Sequence, residues 1–282
     1  CCISESNKYC LVAGDDRNIS FYFTKTIRKG LLNPKIQADE SYMSDSVISS
    51  IDLVYDDTQF LTCGEGVSLW DIEKSQKISS WSWGSDTILK VKANPVEKHL
   101  ILCTSMDRGI FIHDTRTNQS LSKTYLINKS SCLCWNPREP INFTVGNEDH
   151  NAYTFDMRVL TKARKIHKGH IGAVLDIDYA PTGTEFVTGS FDKTVRIFEN
   201  ESGKSREVYH GKRMQKVYAV QWSSDNQFIF TGSEDINIRV WKAYSNEKLG
   251  VISDREKLKN QYNEKLIERF KYNEEIRKVK KS

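Results

Sequence analysis

Along most of the chain apolar and polar residues alternate in runs of five or six, the period of a strand with one buried face. In "FVTGSFDKTVRIF" (Phe186–Phe198) a β-run meets Gly-Ser-x-Asp, and a second run follows. Its Val195 and Ile197 fall on one side, and Thr194 and Arg196 on the other. The unit returns as "IFTGSEDINIRVW" (Ile229–Trp241). Looser copies are "NFTVGNEDHNAYTF", "ILCTSMDRGIFIH", "LTCGEGVSLW" and "LVAGDDRNISFY". Only the end breaks this pattern. From Ser253 the period lengthens, and Leu258, Tyr262, Leu266 and Phe270 recur every four residues beside Ile267, the stripe of an amphipathic helix.

The units end at Tyr22, Trp70, His113, Phe155, Phe198 and Trp241, and the last four are spaced by 42, 43 and 43 residues. The turns at Pro95, Pro137 and Pro181 and "WSSD" at Ser224 keep step. A period in the low forties with four strands per unit predicts an all-β fold, a β-propeller of six repeats. "WD" at Trp70–Asp71 and "GH" at Gly169–His170 make the chain resemble the WD-repeat family. That resemblance implies a hydrogen-bonded set of His170, Ser190 and Asp192, with Phe198 where a Trp is usual. The first unit begins in mid-blade and without a Met. The expectation is a trimmed chain from a seven-bladed parent lacking its first blade, with a six-bladed ring as the alternative. Thr24 to Ser46 reads as a loop insertion. The domains are then a propeller over 1–252 and a C-terminal α-helical extension over 253–282.

Charge sharpens this division. Residues 243–282 hold eleven Lys/Arg against seven Asp/Glu, which accounts for the whole net charge of +4. An even ring with a basic tail suits an anionic partner or a solvated helix end. Ser253-x-x-Glu256 forms a capping box for the tail helix. Its polar face carries Lys257, Lys259, Glu264, Glu268 and Lys271, and it ends in "IRKVKKS". The apolar stripe opposite docks on a partner or folds back on the ring. Candidate contacts with RNA or ribonucleoprotein are Arg255, Lys257, Lys259, Lys271, Arg277, Lys278, Lys280 and Lys281. Lys212, Arg213 and Lys216 join them, because Lys212-Arg213 stands where the repeat spacing calls for Gly-His; the alternative is a solvated loop.

Candidate chemistry is sparse. No phosphate loop, nucleophile elbow or metalloprotease helix occurs, so no enzyme, cofactor or small-molecule substrate is expected. "HKGH" is a weak metal pattern, read as a structural His170 with His167 a solvated neighbour. The seven cysteines are scattered without a C-x-x-C pair, as expected for reduced thiols rather than a zinc site. No run of about 18 apolar residues suggests a membrane span.

"HDTR" and "FDMR" place Asp114-x-Arg116 and Asp156-x-Arg158 in successive repeats. They resemble the W-D-x-R pair of substrate receptors for cullin-RING ubiquitin ligases, where Arg faces an adaptor propeller. The alternative is that each Arg pairs with its own Asp. Taken with "REVYHGKRMQKV", "WNPREP" and above all "RVWKAYSNEKLGVISDREKLKNQYNEKL", these stretches resemble WD-repeat proteins with a SOF-type C-terminal domain. The resemblance implies a seven-bladed scaffold of the nucleolar small-subunit processome, associated with the box C/D small nucleolar RNP and pre-ribosomal RNA. For some members it also implies a role as a cullin-ligase receptor.

Overall fold

The computed structural model describes residues 2–4, 8–14, 16–24, 38–54, 58–74, 76–82, 87–117 and 119–247, with 255, 258, 261, 262 and 265 beyond them. The chain divides into two compact units, Cys1–Ala243 and Tyr244–Ser282.

The first unit is a β-propeller of six antiparallel sheets, each a meander in chain order. The first blade holds β1 (Cys2–Ile3), β2 (Tyr9–Ala13), β3 (Asn18–Phe23) and β4 (Glu40–Met43). The second holds β5 (Ser50–Leu53), β6 (Gln59–Cys63), β7 (Val67–Asp71) and β8 (Gln76–Trp81). The third holds β9 (Ile88–Ala93), β10 (Leu100–Ser105), β11 (Gly109–Asp114) and β12 (Ser120–Tyr125). The fourth holds β13 (Ser130–Trp135), β14 (Asn142–Asn147), β15 (Ala152–Asp156) and β16 (Lys165–His167). The fifth holds β17 (Val174–Tyr179), β18 (Glu185–Ser190), β19 (Val195–Glu199) and β20 (Ser205–Tyr209). The sixth has three strands among the described residues, β21 (Val217–Trp222), β22 (Phe228–Ser233) and β23 (Ile238–Lys242). The stretch read as a loop insertion therefore contains a strand: β4 pairs with β3 and closes the first blade. Its polar "ESYM" has too little alternation to announce itself.

The innermost strands pack in succession, β1 on β5, β5 on β9, β9 on β13, β13 on β17 and β17 on β21. The core consists of five apolar layers, one at each junction between neighbouring blades. Between the fifth and sixth blades, for example, Val187, Val195 and Ile197 meet Val217, Val220 and Trp222. A single blade has no second face to bury itself against, so stacking supplies the core. The meander also defines two rims. The upper rim carries the loops from fourth strand to next first strand and the second-to-third turns. The lower rim carries the first-to-second and third-to-fourth loops.

The helical extension expected over 253–282 falls almost wholly outside the described residues, and no helix is among the described elements. Of its described residues, Arg255, Leu258 and Tyr262 are exposed.

Candidate interaction surfaces

At five of the six second-to-third turns of the upper rim an Asp precedes a residue with positive φ: Asp16-Arg17, Asp107-Arg108, Asp149-His150, Asp192-Lys193 and Asp235-Ile236; the second blade has Gly64-Glu65-Gly66 there instead. The Asp oxygens accept turn N–H groups, which steadies a conformation L-residues seldom adopt. Asp192 does most. It accepts from Thr194 N at 2.9 Å, Thr194 Oγ1 at 2.6 Å, Ile171 N at 3.1 Å and His170 Nδ1 at 2.9 Å. His170 Nε2 lies 2.7 Å from Thr188 Oγ1. Ser190, expected in contact with this histidine, instead donates to the Gly172 and Ala173 carbonyls at 3.0 and 2.9 Å. Thr188 thus takes the place that the sequence reading gave to Ser190. Burial lowers the His170 pKa, opposed by Asp192, so the ring is held neutral.

His167 is not a solvated neighbour. It is buried, with its ring centroid 4.8 Å from that of Phe186 and 5.6 Å from that of Phe198. Its Nδ1–H donates to the Ser202 carbonyl at 2.8 Å and its Nε2 accepts from Thr154 Oγ1 at 3.0 Å. Burial pushes its pKa down to about 4. The small Phe198 at the usual Trp position leaves room for this imidazole. Where Trp is kept, the indole donates to a threonine instead, Trp70 to Thr62 and Trp241 to Thr231, both at 2.9 Å.

On the sixth blade His210 lies on the loop before β21, but none of the hydrogen bonds to the turn Asp235 comes from a histidine. Arg239 reaches Asp235 in its place, with Nη1 at 3.1 Å from Asp235 Oδ1 and 2.7 Å from Ser233 Oγ. Lys212-Arg213 is thereby released from the structural task of Gly-His. Met214 anchors its loop in the core between the fifth and sixth blades. Lys212 and Arg213 are exposed. Lys216 lies 4.5 Å over the Phe191 ring and 3.5 Å from Glu234 Oε1.

The second candidate pair occupies the opposite, lower rim. Asp114 ends β11 and Asp156 ends β15, so each Arg stands on a third-to-fourth loop of adjacent blades. Arg116 clasps its own Asp114 with Nε at 3.0 Å and Nη2 at 2.6 Å, and its backbone N donates at 2.9 Å. Arg158 repeats this on Asp156 at 3.0, 2.7 and 2.9 Å. The pairing weighed as an alternative is therefore present in both copies. The Arg116 hydrogen bond holds Asp114 down at about 2, and Arg158 lowers Asp156 likewise. Both arginine side chains remain about two-thirds exposed, at 67% and 66%. A guanidinium oriented by its own carboxylate keeps its outer edge for a further acceptor.

Near the axis charges are matched across strands. Lys92 meets Asp52 at 2.7 Å and Lys90 meets Asp176 at 2.8 Å. Burial pushes the thiols up, Cys63 to about 11 and Cys134 to about 12, which leaves poor nucleophiles. Among the described residues there is no His/Cys/Asp/Glu group able to hold a metal. Of the tail candidates only Arg255 is described, and it is exposed. Lys257, Lys259, Lys271, Arg277, Lys278, Lys280 and Lys281 lie outside the described residues.

Repeating four-stranded blades, rim turns built on Asp and a separate C-terminal unit define a WD-repeat scaffold. Two stretches, 161–199 and 203–242, match the model of the WD domain, G-beta repeat, and residues 243–282 match the Sof1-like domain. The chain belongs to the WD-repeat family with a Sof1-type C-terminal domain. It is 44% identical to DDB1- and CUL4-associated factor 13 of Danio rerio over 94% of this chain and 59% of that protein. It is 41% identical to the Xenopus tropicalis protein of the same name, over 99% of this chain and 62% of that protein. With Protein SOF1 of Saccharomyces cerevisiae it shares 37% identity, over 98% and 58%. The chain spans about three-fifths of the length of these curated relatives.

Proposed function

We propose that the protein is a non-catalytic scaffold subunit of the nucleolar small-subunit processome, supporting pre-rRNA processing and 40S subunit formation. The observation that carries this reading is the Sof1-like match over 243–282, which coincides with the segment holding the whole net positive charge. In this reading the tail forms a basic helix that meets pre-ribosomal RNA or its small nucleolar RNP proteins. The balanced ring positions it. The sixth blade leaves Phe230, Ile238 and Val240 exposed, which supports a ring of seven blades in the whole protein. Depletion of the protein is expected to lower 18S rRNA and accumulate early-cleavage precursors on Northern blots. Rescue by the full chain is expected to fail when Lys278, Lys280 and Lys281 are changed to Glu. Normal 18S levels after depletion end the proposal.

A second reading rests on the lower rim. Relatives carry a name recording association with DDB1 and CUL4. The two pre-oriented arginines suit a propeller adaptor that offers carboxylates or carbonyls. Arg116→Ala/Arg158→Ala is expected to lower adaptor recovery in pull-downs at least tenfold while leaving melting temperature within about 1 °C, since exposed ion pairs contribute little to stability. Equal recovery removes this reading and leaves the first intact.

A further inference from the structure

Ile236 is misplaced by every rule of the fold. Its backbone φ is 62°, in the left-handed region that β-branched residues avoid. The same turn position elsewhere holds Arg17, Arg108, His150 and Lys193, long polar residues content in water. Ile236 is also 97% exposed, so no burial offsets the strain. A side chain that harms the free protein on both counts has its use in a complex.

Its surroundings say what kind. Ile171 is 81% exposed and Phe191 50% exposed on neighbouring upper-rim loops. These loops are in contact: a Cβ placed on Gly172 comes within 3.2 Å of the Phe191 Cβ. The Phe191 ring carries Lys216 Nζ, Lys216 reaches Glu234, and Glu234 N donates to the Lys216 carbonyl at 2.9 Å. Ile236 stands two residues further on. Exposed Ile171, Phe191 and Ile236 thus stand on upper-rim loops of the fifth and sixth blades that are linked through Lys216 and Glu234, a strip that mixes apolar and basic side chains. Carboxylates along it are engaged: Asp192 by His170 and Thr194, Glu234 by Lys216, Asp235 by Arg239. Lys193, Lys212 and Arg213 are exposed, and their side chains form no ion pair with these carboxylates.

We propose that this strip is a docking site for an acidic peptide segment of a partner protein, with aliphatic side chains seated on Ile171, Phe191 and Ile236 and carboxylates meeting Lys193, Lys212 and Arg213. A nucleic acid suits the cations but not the aliphatics. The site stands whether or not the protein serves a pre-ribosomal particle.

Selection of a random dodecapeptide phage library on the full chain tests this. Winners are expected to combine Asp/Glu with Leu, Ile or Phe. Measured as labelled peptides by fluorescence anisotropy, they are expected to bind at least tenfold more weakly to Ile236→Asn and to Lys212→Glu/Arg213→Glu. Ile236→Asn is expected to raise the melting temperature, because Asn accepts the left-handed turn, so lost binding cannot come from misfolding. A labelled oligouridylate is the control. No enrichment, winners indifferent to Ile236→Asn, or RNA binding tighter than any peptide and lost only with Lys212 and Arg213 overturns the proposal.

Discussion

The fifth and sixth blades carry the two best copies of the repeat, yet they live in different surroundings. Their second and third strands pair in the same register, Val187 opposite Ile197 and Phe230 opposite Val240. In the fifth blade Val187, Val195 and Ile197 are fully buried under the sixth. Their counterparts Phe230, Ile238 and Val240 are exposed. The turns differ too. Asp192 binds a histidine from the preceding loop, whereas Asp235 binds Arg239 of its own third strand. The local motif thus builds sheet and turn, while the neighbouring blade decides what is buried and the loop before the blade decides how the turn Asp is satisfied.

The largest break in this symmetry is expected at the turn Asp. Asp192→Ala leaves His170, Ile171 N and Thr194 N without their acceptor in a mostly buried site. The expected cost is about 2–4 kcal/mol, read as a lower midpoint in urea. Asp235→Ala is expected to shift the midpoint much less, since Arg239 turns to solvent. Equal losses contradict the idea that the histidine network, rather than the turn, holds the fifth blade.

The glycine before each turn sharpens the contrast. A Cβ on Gly189 falls 2.5 Å from Val220 Cγ2 and 2.8 Å from Val217 Cγ1. A Cβ on Gly232 meets only Ala219 Cβ, at 3.8 Å. Gly189→Ala is expected to cost about 1–3 kcal/mol through overpacking. Gly232→Ala is expected to be neutral or to stabilise by up to about 1 kcal/mol, by reducing the freedom of the unfolded chain. Thermal melts of the two variants decide it, and a destabilised Gly232→Ala shows that its face is already covered.

Much of this was legible because a propeller writes its plan repeatedly. The period, the strand alternation and the turn Asp stand in the sequence even where the Trp has become His113 or Phe155. The arginine pair was legible as two alternatives, and only geometry shows both clasped to their own Asp. His167 was misread because a short strand "KIH" gives no hint that its last residue slides between Phe186 and Phe198. Ile236 passed unnoticed in sequence, although aligning it with Arg17, Arg108, His150 and Lys193 exposes the anomaly. What one sequence cannot write is its neighbour: the burial of Val187 depends on Val217, thirty residues away.

The seam between the two blades also carries a pH signature. Asp178 on β17 accepts the Trp222 backbone N–H of β21 at 2.6 Å, and burial raises its pKa to about 6. The folded state then binds a proton that the unfolded chain releases near 4. This contribution to stability is complete below about pH 4 and is lost as pH rises through 6. His167, lowered to about 4, acts with the opposite sign: its contribution is complete above about 6.5 and is lost as pH falls. The two offset each other across the same interval. Asp178→Asn keeps an acceptor for Trp222 and removes one side of the balance. Between pH 7 and 4.5 it is expected to lose about 2 kcal/mol more stability than the parent protein, one pKa unit corresponding to about 1.4 kcal/mol. Parallel melting curves for the two proteins across that range place the Asp178 carboxyl in contact with water and dissolve the link between the seam and the histidine.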